Sequence, residues 1–132
     1  MTVSFQNRSL ALWGDEMLNL LQYFRRIAVS KSIAAMMFVF RRGKNIDRAA
    51  LDSCSGWIKY MGSFHESRTY DFALALHLSK GNAEVILLDA KKRQLLKLNR
   101  QSPAGKIALD AKNTYYLRWE FKSATGKCEL HW

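Results

Sequence analysis

The feature that most constrains the fold is a strict two-residue alternation in the second half of the chain. Over residues 70–78, Tyr70, Phe72, Leu74, Leu76 and Leu78 share one side of an extended backbone, and Asp71, Ala73, Ala75 and His77 share the other. Further on, Tyr115, Leu117, Trp119 and Phe121 alternate with Tyr116, Arg118, Glu120 and Lys122. Successive side chains of a strand point to opposite faces, so this pattern describes a sheet with one buried and one wet face. Residues 84–89, EVILLD, are apolar on both faces, as a central strand is. Leu96 with Leu98, and Ile107 with Leu109, mark two shorter strands, and residues 57–61 another. The SKGN stretch, residues 79–82, reads as a turn in which Gly81 can take positive φ. Residues 123–126 read as a second turn, making 115–122 and 127–132 a hairpin with Cys128, Leu130 and Trp132 inward. The total, about seven short strands, predicts an antiparallel β-sandwich of jelly-roll or Greek-key type.

The first fifty residues follow another grammar. In residues 15–28, Met17, Leu20, Leu21, Phe24 and Ala28 recur at helical steps. Asp15 and Glu16 precede them and Arg25 and Arg26 close the run, matching the helix dipole at both ends. The spacing predicts an amphipathic helix, packed on its own domain or free for a membrane surface or a partner. Residues 32–40 are apolar without a clear period and fit a buried strand or a continuation of the helix. The charged RRGKNIDR, residues 41–48, reads as a connection. The expected division is an N-terminal helical extension over 1–50 and a sandwich over 51–132.

Twenty-one Lys and Arg against eleven Asp and Glu leave a net charge of +10, which favours anionic partners. The excess is spread out: residues 1–67 carry nine basic and five acidic groups, and residues 68–132 twelve and six. A nucleic-acid groove binder concentrates its charge, and no known RNA-binding motif is present, so nucleic acid is a secondary expectation. The most apolar stretch, residues 27–40, contains Lys31 and ends on Arg41 and Arg42, so it makes a poor membrane span or signal peptide.

No catalytic signature stands out. G-x-S-x-G, the phosphate-binding loop and H-E-x-x-H are all missing. His65, Glu66 and Ser67 are triad residue types, but triads assemble from distant positions, and three neighbours read as a polar turn. His65, His77 and His131 are too scattered for a metal site, and no cofactor is expected. Cys54 and Cys128 form no C-x-x-C pair. They are a candidate disulfide in an exported protein, closing about 75 residues and worth roughly 4 kcal/mol, or two buried thiols in a reducing compartment.

Residues 56–132 carry a resemblance. "AEVILLDAKKRQLL", "KIALDAKNTYYLRWEF" and "GKCELHW" together resemble the pre-peptidase C-terminal type of bacterial β-sandwich. Leu87, Leu88 and Asp89 before a turn match it, as do Leu109, Asp110 and Ala111 followed by Tyr115, Tyr116, Leu117 and Arg118. That family has an acidic turn where Lys91 and Lys92 stand here, which argues against calcium. The resemblance implies a non-catalytic bacterial module, exported or envelope-associated, with a polysaccharide or protein ligand. The outward residues Tyr116, Arg118 and His131 are the candidate ligand-binding face, able to stack on flat ligands or pair with acidic ones. A structural, self-associating role through the helix or an edge strand is a further alternative.

Overall fold

A computed structural model of the chain describes residues 2–4 and 29–132. The helix expected over 15–28 lies outside the described residues. The described chain is β1 (Thr2–Ser4), β2 (Ser30–Ala34), β3 (Met37–Gly43), β4 (Ile46–Met61), β5 (Arg68–Asp89), β6 (Gln94–Leu98), β7 (Ala104–Leu109) and β8 (Tyr115–His131). Every pairing is antiparallel, and no helix occurs among the described residues.

Three long strands organise the molecule, with β8 between β4 and β5. Each is interrupted at the same level. The β4–β8 register slips between Leu51 and Gly56, and the β5–β8 register slips between Leu78 and Asn82. At these points Ser53, Gly56, Gly81, Ser123 and Gly126 take positive φ. The backbone donors left over by the irregular pairing find hydroxyls: Ser53 N donates to Thr125 Oγ1 at 3.0 Å and Ser123 N to Ser55 Oγ at 3.0 Å. Bulges bend strands and raise their twist, and three in line fold one sheet into two layers.

One layer runs β2, second half of β4, first half of β8, second half of β5, β6. The other runs β1, β3, first half of β4, second half of β8, first half of β5, β7. The inward residues of the two layers meet in an aromatic core. Phe40 lies 5.3 Å from Tyr60 and 5.7 Å from Trp119, ring centre to ring centre, and Phe38 lies 5.7 Å from Phe121. Buried Phe64, in the β4–β5 connection, closes one end against Tyr70, Phe72, Tyr115 and Trp132. The result is an antiparallel, sandwich-like sheet.

Several expectations are revised at this level. The two stretches read as turns, 79–82 and 123–126, do not reverse the chain. They are the bends of β5 and β8, because β5 stays paired with β8 on both sides of residues 79–82 and β8 stays between β4 and β5 on both sides of residues 123–126. Residues 115–122 and 127–132 are therefore not hairpin partners but successive parts of one strand in different layers. The charged stretch over 41–48 is the tight hairpin between β3 and β4. It turns at Lys44 and Asn45, where Asn45 takes a φ of 58°. β4 runs through the boundary expected at residue 50, and Phe40 and Ala49 belong to the core.

Candidate binding surface

The period-two alternation that buries Leu117, Trp119 and Phe121 turns Tyr116, Arg118 and Glu120 outward from the first half of β8. The antiparallel register places Trp57, Lys59 and Met61 of β4 beside Glu120, Arg118 and Tyr116 respectively. From the other side, Glu84, Ile86 and Leu88 of β5 lie beside the same three residues. This face is half apolar, and its charges are stacked on rings. The Arg118 guanidinium carbon sits 4.6 Å from the Trp57 ring centre, and the Lys59 ammonium 5.7 Å from that of Tyr116.

Two carboxylates stand directly opposite each other here, Glu84 and Glu120, an arrangement that is unfavourable when uncompensated. Each has its own cation. Arg118 Nε donates to Glu120 Oε1 at 3.0 Å, and Lys97 Nζ lies 3.0 Å from Glu84 Oε2. The Glu120 contact also anchors the guanidinium that lies over the indole. Arg118 keeps about one-third of its side chain exposed.

Tyr116 and Arg118 are thus neighbours on one face, as expected, but His131 is not with them. It sits on the outer face of the opposite layer, between Ile46 and Ala73, with its Nε2 3.0 Å from Glu129 Oε2. The bend at residues 123–126 carries it there. Trp57 and Lys59 complete the face, and their strand was legible in the sequence while their place beside β8 was not.

The other candidates take structural places. Cys54 and Cys128 are free, fully buried thiols. Burial pushes Cys54 up to about 11; burial and then the neighbouring Cys54 push Cys128 up to about 12. Ser67 Oγ donates to Asp110 Oδ1 at 3.0 Å and accepts the Ala111 N–H at 2.9 Å, tying its loop to the β7–β8 turn. Asp89 Oδ1 accepts the N–H groups of Lys91 and Arg93, both at 2.9 Å, and Oδ2 accepts Arg93 Nε at 2.7 Å. Those donors, the Arg93 N–H foremost, hold its carboxyl below the usual range. Its oxygens organise the turn. Among the described residues no three His, Cys, Asp or Glu side chains form a group that could hold a metal ion, and no helix is long and apolar enough to cross a membrane.

A polar chain that the sequence did not suggest crosses the core. Asp47, 1% exposed, accepts the hydroxyl of Tyr60, which in turn accepts Trp119 Nε1–H at 2.8 Å. The Arg42 guanidinium covers the Tyr60 ring at 4.5 Å and donates to the Met61 carbonyl at 2.8 Å. Burial raises Asp47 to about 6, against the lowering effects of Tyr60, Arg42 and the Gly43 N–H. Burial, with Asp47 beside it, also keeps Tyr60 well above the ordinary tyrosine range. Both groups are buried, and the network braces the layers.

No family model matches the chain. No curated protein matches it by sequence either. Among solved structures it is similar to the enzymatically active domain of bacteriophage CBA120 tailspike protein 4, with a TM-score of 0.43 and 9% identity over 78% of the chain. It is also similar to the arabinose-bound MgGH51 α-L-arabinofuranosidase, with a TM-score of 0.35 and 13% identity over 79% of the chain. The chain spans only 18% and 22% of those two proteins, and likeness at this level carries no functional argument.

Proposed function

We propose that this chain is a non-catalytic binding module, exported or envelope-associated, on a Greek-key-like sandwich frame. It holds a polysaccharide or protein ligand on the outer face of the β2–β4–β8–β5–β6 layer. The observation that carries this reading is the stacking of Arg118 on Trp57 beside Lys59 over Tyr116. A guanidinium held flat by a ring loses little freedom on binding and keeps its edge donors for hydroxyl or carboxylate oxygens. Ile86, Leu88 and Met61 add apolar surface along the same rows, which suits the C–H face of a sugar ring or an apolar side chain. The resemblance of residues 56–132 to the pre-peptidase C-terminal type of sandwich supports the same reading.

A glycan array combined with a cell-wall pull-down tests it. Wild-type protein is expected to retain one ligand class that Tyr116→Ala and Arg118→Ala each lose. Binding no greater than that of the variants would contradict it. The interleaved rings and cations also favour a second reading, single-stranded nucleic acid stacked on the same face. That reading predicts affinity at low salt that falls steeply with added salt, and undetectable low-salt binding removes it.

A further inference from the structure

We propose a second and separate site, for a phosphate-type oxyanion, formed by Arg41, Arg48 and Lys127 on the outer face of the opposite layer. Arg41 of β3 and Arg48 of β4 are register partners, so two guanidinium groups project side by side from one row. In the next row Val39, Ala50 and Lys127 are aligned across β3, β4 and β8. The methyl group of Ala50 leaves space among the three cations, and these residues line a groove of about 400 Å³.

The charges here are unbalanced in a way that those of the first face are not. Like charges directly opposite on a sheet repel. On the first face the corresponding pair, Lys59 and Arg118, is laid over Tyr116 and Trp57. In this groove Arg41 has no ring and no acid partner among the described residues. Arg48 has Glu129 at 3.6 Å, with the arginine side chain 58% exposed, and His131 lies against the other oxygen of that carboxylate. Of the three cations only Arg48 is paired with a carboxylate among the described residues, and that carboxylate is shared with His131. A phosphate-type oxyanion carries several acceptor oxygens on one centre and can accept the forked donors of both arginines and the ammonium of Lys127 together, whereas chloride offers no such set of oxygens. The site does not rest on the binding face proposed above, which lies on the other layer and uses none of these residues.

The test is a titration followed by backbone amide chemical shifts, at ionic strength held constant with chloride. One arm uses inorganic phosphate and the other a poly(glycerol phosphate) chain. Saturable shifts are expected at residues 39–42, 48–50 and 127–129. Affinity should fall by about tenfold or more in Arg41→Gln and in Arg48→Gln, as loss of a charge-assisted hydrogen bond implies, and stay unchanged in Arg118→Gln. Saturation by both probes supports the site and shows that the phosphate group suffices. Saturation by the polymer alone supports it and assigns the ligand to a chain bearing that group. No saturable shifts in this groove with either probe, or shifts that survive Arg41→Gln, would overturn the proposal.

Discussion

Asp47 and Tyr60 belong to the same strand, yet the tyrosine hydroxyl donates to the aspartate carboxylate across the core, because the bend at residues 51–56 folds β4 back over itself. The bond therefore joins the two layers through one continuous strand. Its acid partner is held at a pKa of about 6, mainly by burial, where an unfolded chain has it near 3.8. Between those values the folded state holds more protons, so stability falls as pH rises from about 4 to about 6. At pH 7 the full penalty is present, on the order of 3 kcal/mol. Urea unfolding of wild type should show stability increasing from pH 7 to pH 5, and Asp47→Asn should flatten that increase. Parallel profiles for the two proteins would contradict the assignment.

Removing only the Tyr60 hydroxyl is expected to be costly although the ring remains. Tyr60→Phe leaves buried Trp119 Nε1–H without its acceptor and takes from Asp47 its side-chain donor. Leaving buried polar groups unpaired costs about 2–4 kcal/mol, so the urea midpoint should fall at unchanged slope. The lost hydrogen bond also lets the Asp47 pKa rise further, which moves the pH dependence to higher pH. A variant as stable as wild type would show that the network braces nothing.

The bends make their own demand. At Gly126, with a φ of 137°, an added Cβ would lie 2.2 Å from the His77 carbonyl oxygen; at Gly56, with a φ of 126°, it would lie 1.9 Å from the Ser32 carbonyl oxygen. Both obstacles are backbone and cannot rotate away. Gly126→Ala should therefore destabilise by more than about 2 kcal/mol, because it combines a strained φ with a displaced neighbouring strand. At Gly105 the nearest atom is a Leu96 methyl carbon at 2.7 Å, the movable end of a side chain, so Gly105→Ala should cost visibly less. Thermal unfolding of the two variants measures the difference.

Cys54 and Cys128 should be inert while the protein is folded. Both are fully buried, with pKa values pushed up to about 11 and about 12, so thiolate is negligible at neutral pH. Labelling by a thiol reagent should proceed only as fast as the protein unfolds. After denaturation without reductant, intact mass should show both cysteines labelled. Absence of labelling under those conditions would show a disulfide instead.

Much of this was legible in the chain, and the failures share one cause. Alternation over 70–78 and 115–122 reports correctly which side chains face inward, because the period of a strand is a local property. Whether Gly81 closes a hairpin or bends a strand is not local: positive φ serves both, and only the continued pairing of β5 with β8 decides. That single ambiguity placed His131 beside Tyr116 when it lies on the other layer. Trp57 illustrates the other limit, since its strand was readable but its contact with Arg118 follows from the β4–β8 register. Asp47 looked like part of a charged connection, and only the tight turn at Lys44 and Asn45 brings it into the core.

The central claim is that the Trp57–Arg118 and Lys59–Tyr116 face is where the ligand sits. Titrating the uniformly nitrogen-labelled protein with the best ligand from the glycan array or pull-down tests it most directly, by following amide and indole N–H shifts. The account predicts saturable changes at the Trp57 indole and at residues 57–61, 84–88 and 116–120, with the buried Trp119 indole unmoved. Changes confined to the loops at either end, or to the opposite layer, would contradict it.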